Sequence, residues 1–124
     1  LVVNVSSILG HRAVPRNSEY CASKFALQGL SESLRAEWSR HGIGVLVVSP
    51  GSTATEFGEN LLEDQIEAPL PNRPFTSAES VAGAIVRAMA SGRHEIVPSF
   101  SGRLLVWANR AAPWLVDRVV ARYA

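Results

Sequence analysis

The hydrophobic residues of this chain fall into short continuous runs that alternate with longer stretches of helical spacing. Residues 1–5 and 43–48 are two such runs, and each is followed by polar or turn-forming residues. A continuous β-branched and aliphatic run is typical of a strand that is covered on both faces, as in a parallel sheet. We predict a strand at each run and a third, shorter strand over residues 94–98.

Between these runs, apolar residues recur at the three- and four-residue spacing of a helix. The longest such pattern extends from residue 19 to about residue 40. The segment Thr76-Ser77-Ala78-Glu79 matches a capping box and predicts a second helix that stops at Gly92. Residues 102–122 form a strongly apolar helical pattern, in which Pro113 is expected to kink or restart the helix.

The order of these elements indicates the fold class. Strands that alternate with helices imply crossover connections and an α/β fold with a parallel sheet covered on both faces. Three strands make a small sheet for this architecture, and the chain enters its first strand without an initiator methionine or a polar lead-in. We therefore expect residues 1–124 to be a fragment, the partial form of one doubly wound domain.

Residues 55–74 differ in character from the rest of the chain. They carry acidic side chains together with Phe57, Leu61 and Leu62 at near-helical spacing, and they end in several prolines. We interpret this segment as a mobile lid that contains a short amphipathic helix. We interpret residues 99–124 as a separate C-terminal helical segment.

Composition excludes several classes of protein. The chain has 124 residues, of which 47% are hydrophobic and 19% charged, as one folded domain requires. A net charge of +1 gives no electrostatic reason to expect a nucleic-acid partner, and no apolar run is long enough to predict a membrane span. The lone Cys21, expected to be buried, excludes an internal disulfide framework, and no Cys/His cluster predicts a metal site. A reducing, cytoplasmic compartment fits this cysteine usage.

The first candidates for a chemical role are Tyr20 and Lys24. Lys24 is the one lysine among 12 Lys and Arg residues, and it follows Tyr20 by four positions at the start of the longest predicted helix. Residues four apart share a helix face, so the ammonium and the phenol can approach each other. A nearby ammonium favours the phenolate, which brings a phenol towards general acid–base work near neutral pH. Taken alone, such a pair is more often a solvated surface feature.

Polar residues at the strand ends add to this pair. Ser6 and Ser7 follow the first predicted strand, and Ser49-Pro50-Gly51 follow the second. Ligands of open α/β sheets bind outside the carboxyl ends of the strands, so these residues and Tyr20 can converge. Ser7 could hold a substrate oxygen together with Tyr20, a pairing suited to proton exchange at an alcohol or carbonyl oxygen. Serines at strand ends also commonly satisfy backbone groups, and Pro50-Gly51 alone is an ordinary turn.

Three motifs in register resemble the carboxyl half of a short-chain dehydrogenase/reductase. They are Asn4-Val5-Ser6-Ser7-Ile8-Leu9-Gly10, Tyr20-Cys21-Ala22-Ser23-Lys24 and Pro50-Gly51-Ser52-Thr53-Ala54-Thr55. The resemblance is strong from residue 1 to about residue 57 and weaker over 77–98. It implies a Rossmann-like doubly wound sheet of which this chain supplies the C-terminal half, with about three strands alternating with helices.

The resemblance also implies roles for three catalytic residues. Ser7 would orient and polarise the substrate oxygen, in preference to Ser6, and Tyr20 would be the general acid–base. Lys24 would assist Tyr20 and also bind the nicotinamide ribose of NAD or NADP. The histidines His11, His41 and His94 are given no catalytic role.

Further cofactor contacts are implied after the second strand. Pro50 and Gly51 would line the nicotinamide, and Thr55 would contact the carboxamide or phosphate side of the cofactor. Thr53 departs from the branched aliphatic residue usual in the family, although its backbone amide could still contact the carboxamide. In the lid, Phe57 is a candidate substrate contact and favours a hydrophobic carbonyl compound.

These residues predict an NAD(P)-dependent oxidoreductase that transfers a hydride between the nicotinamide and a ketone or secondary alcohol. The family's glycine-rich loop and catalytic asparagine would lie upstream, so we expect the fragment alone to be inactive. Two alternatives stay open: a non-catalytic scaffold or binding protein with the same fold, and an epimerase or dehydratase that uses the same tyrosine and lysine.

The resemblance further implies a homodimer or homotetramer that is formed partly by the long helix. Residues 99–124, with two tryptophans and four arginines, are expected to pack against the same or a second subunit. Peripheral contact with an anionic membrane surface is the less favoured interpretation.

Overall fold

The computed structural model describes residues 1–54 and 76–123. The lid predicted over 55–74, with Thr55 and Phe57, lies outside them. The strands and helices, in chain order, are β1 Val2–Val5, α1 Ser18–Trp38, β2 Val45–Val48, β3 Thr53–Ala54, β4 Thr76–Ser77, α2 Ala78–Ala90, β5 Glu95–Ile96, α3 Phe100–Ala111 and α4 Pro113–Val120. Three short 3-10 turns cover Ile8–Gly10, Ser39–His41 and Ala121–Tyr123.

The main sheet has three parallel strands in the order β1-β2-β5. Parallel neighbours need crossover connections, which α1 provides between β1 and β2 and α2 provides between β2 and β5. The predicted α/β fold with three parallel strands alternating with helices is thus confirmed. A second, two-stranded parallel pair, β3 with β4, was not predicted, because two-residue strands leave no hydrophobic pattern.

The central strand β2 explains the continuous apolar run in the sequence. All four of its side chains are fully buried. Leu46 and Val48 pack with Ala88 of α2, and the alternation of a strand turns Val45 and Val47 to the opposite face, where α1 contacts β2. Burial on both faces excludes polar side chains from this strand, as the sequence pattern predicted.

Helix α1 is fastened to β1 by polar side chains. The Asn4 amide donates to Ser31 Oγ at 2.9 Å, and Ser31 Oγ donates to the Leu27 carbonyl oxygen at 2.6 Å. Ser31 has no exposed surface, so its hydroxyl needs both partners. Cys21, on the same helix, is buried as expected.

The predicted start of α4 agrees with the structure, whereas the predicted N-cap of α2 does not. Pro113 begins α4 after the backbone at Ala112 leaves the helical region, which confirms the predicted restart. The predicted capping box on Thr76 was wrong by one residue. Ser77 caps α2, with its Oγ accepting a hydrogen bond from the Ser80 N–H at 3.2 Å. Thr76 belongs to β4, where its N–H donates to the Ser52 carbonyl oxygen.

The end of α1 also has a simple cause. The helix passes into the 3-10 turn Ser39–His41, and Gly42 then adopts a left-handed φ of 66°, which glycine reaches without steric cost. None of the helices in the described part of the chain has the length and hydrophobicity needed to cross a bilayer.

Candidate active site

The carboxyl ends of β1 and β2 bring the predicted strand-end residues together. The Ser6 N–H donates to the Val48 carbonyl oxygen at 2.7 Å, and the Ile8 N–H donates to the Pro50 carbonyl oxygen at 2.9 Å. The chain beyond β1 therefore continues alongside the chain beyond β2. This pairing places the Ser6-Ser7 segment beside the Pro50-Gly51 turn, as the sequence predicted from their positions at strand ends.

Tyr20 and Lys24 lie on one face of the first turns of α1. The Lys24 ammonium nitrogen is 5.4 Å from the centroid of the Tyr20 ring. The same nitrogen donates to the Val5 carbonyl oxygen at 3.2 Å, at the end of β1. Tyr20 and Lys24 are both half-buried. The ammonium is thus held between the strand end and the tyrosine ring.

The two serines after β1 have different hydrogen-bonding roles. The Ser6 hydroxyl donates to the Lys24 backbone oxygen at 3.3 Å, so it fastens α1 to the strand end. Ser7 Oγ accepts a hydrogen bond from the Leu9 N–H at 3.1 Å and caps the 3-10 turn. This bond uses the Ser7 oxygen as an acceptor and does not use its O–H as a donor. Of the two hydroxyl groups, the one on Ser6 is used as a donor and the one on Ser7 as an acceptor.

Gly10 allows the 3-10 turn to approach α1 closely. A Cβ atom built on Gly10 would lie 2.9 Å from the Lys24 backbone oxygen and 2.9 Å from Ser6 Oγ. Both distances are shorter than carbon and oxygen tolerate. The absence of a side chain at Gly10 is thus a condition for the position of Lys24.

The Pro50-Gly51 turn that follows β2 is contacted by Thr53 on one side and lies close to Ser99 on the other. Thr53 Oγ1 donates to the Gly51 carbonyl oxygen at 3.1 Å, so the side chain of Thr53 folds back on the turn. A Cβ atom on Gly51 would lie 3.2 Å from Oγ of Ser99, the residue that caps α3. The Pro50-Gly51 turn therefore lies between the end of β1 and the start of α3.

A polar cluster that the sequence analysis missed lies behind this turn. His11 Nε2 is 3.1 Å from Ser49 Oγ and 3.2 Å from Glu95 Oε1. This cluster is not a hydrolase triad, because serine and carboxylate approach the same ring nitrogen, whereas a triad needs them on different nitrogens. Ser49 is also fully buried. No local pattern links residues 11, 49 and 95, so sequence spacing had no signal for this contact.

The cluster lowers the pKa of the Glu95 carboxyl from its ordinary value of 4.5. The main cause is the hydrogen bond from His11, and partial burial of the carboxylate opposes it. Arg110, 3.9 Å from Glu95 Oε2, and the Gln28 amide, 3.3 Å from Glu95 Oε1, act in the same direction as His11. The carboxylate form of Glu95 is thus favoured by three neighbours. Within the described segments, no group of three or more His, Cys, Asp or Glu side chains is placed to hold a metal ion.

Comparison with known proteins finds similar sequences. A sequence model described as short chain dehydrogenase matches residues 1–66, just over half of the chain. Carbonyl reductase family member 4 of Xenopus laevis is 35% identical over 105 residues, which are 85% of this chain and 42% of that protein. The 3-oxoacyl-(acyl-carrier-protein) reductase FabG of Haemophilus influenzae is 36% identical over 87 residues, 68% of this chain and 36% of that protein. The chain spans less than half the length of these relatives.

Solved structures share the fold. A short-chain dehydrogenase from Burkholderia cenocepacia in complex with NADP superposes with a TM-score of 0.79 at 24% identity, over 95% of this chain and 46% of that chain. A short-chain dehydrogenase from Sphingobium yanoikuyae in complex with NADPH gives a TM-score of 0.68 at 24% identity, over 93% of this chain and 44% of that chain. These likenesses confirm the predicted Rossmann-like doubly wound fold.

Proposed function

Because this chain belongs to the short-chain dehydrogenase family, we propose that it carries the acid–base half of an NAD(P)-dependent oxidoreductase that interconverts a ketone and a secondary alcohol. The observation that carries the proposal is the position of the Lys24 ammonium, 5.4 Å from the Tyr20 ring and bonded to the Val5 carbonyl oxygen. The strand end holds the cation beside the ring of Tyr20. That arrangement suits proton transfer by a tyrosine.

In the direction of reduction, the Tyr20 O–H gives its proton to the substrate carbonyl oxygen while a hydride adds to the carbonyl carbon. Two unit charges about 5 Å apart attract by roughly 3 kcal/mol at an effective dielectric of about 20. Lys24 can therefore stabilise the phenolate that this transfer leaves behind. The Ser7 hydroxyl donates a hydrogen bond to the same substrate oxygen and orients it, and it keeps its proton. In the direction of oxidation, the phenolate takes the alcohol proton back.

The residues of the site fit a nicotinamide dinucleotide. The ammonium of Lys24 is a hydrogen-bond donor suited to ribose hydroxyls, and Tyr20 lies beside it. The Pro50-Gly51 turn, with Thr53 folded onto it, follows the carboxyl end of β2, where ligands of such sheets bind. The NADP and NADPH complexes of the similar structures support the same group. When bound, the dinucleotide supplies or accepts the hydride.

We also propose how the chain contributes to a larger domain. Residues 1–124 would form its catalytic and substrate-binding part, with residues 55–74 as a lid in which Thr55 contacts the cofactor and Phe57 a hydrophobic substrate. The extent of the matched relatives, whose aligned parts are 42% and 36% of their length, supports a contribution of this size. On this proposal the chain alone is inactive, and the buried thiol of Cys21 fits a cytoplasmic setting.

A homo-oligomer is the proposed assembly. Phe25 and Leu30 of α1 are 44% and 53% exposed, although both are large and apolar. Contact with a second copy along α1 would remove this surface from water, which is favourable for apolar groups. Sedimentation of the full-length protein tests it, with Leu30→Glu expected to shift the protein towards the monomer.

The acid–base role of Tyr20 is tested in the full-length protein with a panel of ketones, following oxidation of NADPH. Tyr20→Phe should lower turnover by about a hundredfold or more, because it removes the proton donor and keeps the ring. Tyr123→Phe is the matched control and should retain turnover. Comparable turnover of Tyr20→Phe would refute the mechanism. Product formed without a net change in cofactor oxidation state would instead favour an epimerase or dehydratase, and dinucleotide binding without turnover a scaffold.

A further inference from the structure

We propose that His11 is a positioning residue for the Pro50-Gly51 turn, and that it links this turn to the C-terminal helices. The inference rests on the proposed function, since the turn is the expected nicotinamide contact. His11 follows the 3-10 turn Ile8–Gly10, and its side chain is only 8% exposed. It is therefore a buried titratable group that the proposed mechanism does not use.

The hydrogen-bond partners of His11 define the state of its ring. The Nε2 atom lies 3.2 Å from a carboxylate oxygen of Glu95 and 3.1 Å from the hydroxyl oxygen of Ser49. A carboxylate can only accept, so Nε2 must carry a proton at this distance. The Nε2–H group thus donates towards Glu95, and Ser49 Oγ lies next to the same N–H group. An imidazole locked in this way has a single orientation.

Ser49 connects this ring to the turn. Its hydroxyl contacts His11, its N–H donates to the Ile96 carbonyl oxygen at 2.9 Å, and it directly precedes Pro50. The carbonyl oxygen of Pro50 in turn accepts from the Ile8 N–H. His11 therefore lies between β5 and the start of the turn, and it fixes the last residue before Pro50. A loose ring here would let the end of β2 and the turn shift together.

The backbone of His11 is held by the C-terminal helices. The Asn109 amide of α3 donates to the His11 carbonyl oxygen at 3.0 Å. The next residue, Arg12, donates to Asn109 Oδ1 at 3.2 Å and to Asp117 Oδ1 of α4 at 2.6 Å. Three side chains, those of Arg12, Asn109 and Asp117, thus join both C-terminal helices to the residue that positions the turn. The C-terminal segment thereby acquires a role at the cofactor edge of the sheet.

The test uses the full-length protein and three variants. His11→Ala removes the donor, and His11→Gln restores an N–H at the same number of bonds from the backbone. His41→Ala, at an exposed histidine of the Ser39–His41 turn, is the matched control. The dissociation constant of NADPH should rise about tenfold in His11→Ala, as expected for a lost buried hydrogen bond to a charged group. It should return to within about threefold of wild type in His11→Gln and stay unchanged in His41→Ala.

Steady-state kinetics should likewise show an effect of His11→Ala on the cofactor and little effect on the carbonyl substrate. The KM for the cofactor rises in His11→Ala, whereas the KM for the carbonyl substrate changes by less than about twofold, because the partners that His11 fixes are Ser49 and Glu95, on the side of the turn. Hydrogen exchange gives a readout that does not depend on cofactor. The amides of Ile8 and Ser49 should exchange faster in His11→Ala, while the amide of Val47 in the centre of the sheet keeps its protection.

The exchange and binding results test the positioning role of His11 and its link to the cofactor separately. Unchanged exchange at Ile8 and Ser49, an equal increase at Val47, or a failure of His11→Gln to restore protection would overturn the positioning role. Faster local exchange with an unchanged affinity for NADPH would overturn its link to the cofactor. If the wild-type protein binds no dinucleotide, the proposed function fails. The exchange of Ile8 and Ser49 still decides whether His11 positions the turn.

Discussion

A single methyl group on Gly10 should disturb the site more directly than most larger changes. In Gly10→Ala the new Cβ would lie 2.9 Å from both the Lys24 backbone oxygen and Ser6 Oγ, about half an ångström inside ordinary contact. Gly10 does not adopt a positive φ, so alanine meets no backbone strain there. The methyl group must therefore displace the backbone at Lys24, and overpacking of this kind typically costs about 1–3 kcal/mol.

Gly29→Ala is the matched control. A Cβ on Gly29 meets no heavy atom within 4 Å, and the residue lies inside α1. Alanine in a helix interior is more stable than glycine by about 0.5–1 kcal/mol. The two glycine-to-alanine changes should consequently alter the free energy of unfolding in opposite directions.

Urea unfolding of the full-length protein, followed by circular dichroism, measures both effects. Turnover supplies a second readout, since displacement of Lys24 should lower the rate in Gly10→Ala and leave the rate of Gly29→Ala unchanged. A Gly10→Ala protein as stable and as active as the wild type would show that the turn adjusts freely. The proposed dependence of Lys24 on the close contact would then be refuted.

Three further predictions concern single side chains. Ser7→Ala should lower kcat/KM by about a hundredfold in the ketone assay, whereas Ser6→Ala should mainly reduce stability, by about 1 kcal/mol in urea unfolding; the reverse pattern would exchange their roles. The folded-state pKa of Glu95 is depressed below 4.5, so its contribution is present above that pH and is lost as the pH falls through the lower value. Glu95→Gln should therefore flatten the loss of stability below about pH 4.5 in denaturation at graded pH, and an unchanged slope would contradict the pairing with His11. Ser77→Ala should lower stability by about 1 kcal/mol and Ser77→Gly by only a few tenths, unless the cap lies elsewhere.

Much of the fold could be predicted because its signals are local. The apolar run over 43–48 predicted a strand buried on both faces, and β2 has no exposed side chain. The helical spacing of residues 19–40 predicted α1 to within two residues at each end. Such patterns follow from the periodicity of the backbone, so they can be recognised without knowing which residues pack around the element.

The boundaries that failed depended on non-local pairing. Thr76 looks like a helix cap in the sequence, but its N–H pairs with Ser52 in a short strand, so the cap moves to Ser77. The β3 and β4 strands have two residues each, too few for an alternating pattern. The position of the α2 cap and the β3–β4 pair both depend on which distant segment lies next to residues 76–77.

The candidate site divides in the same way. The sequence by itself determined the Tyr20 and Lys24 pair, because a four-residue offset places two side chains on one helix face whatever surrounds the helix. Only the tertiary structure decided that Ser6 binds the backbone of α1, that Gly10 must lack a side chain, and that His11 meets Glu95. Those contacts join segments that are separated in the chain, and they become neighbours only through the packing of α1 near the end of β1 and through the order of the strands in the sheet.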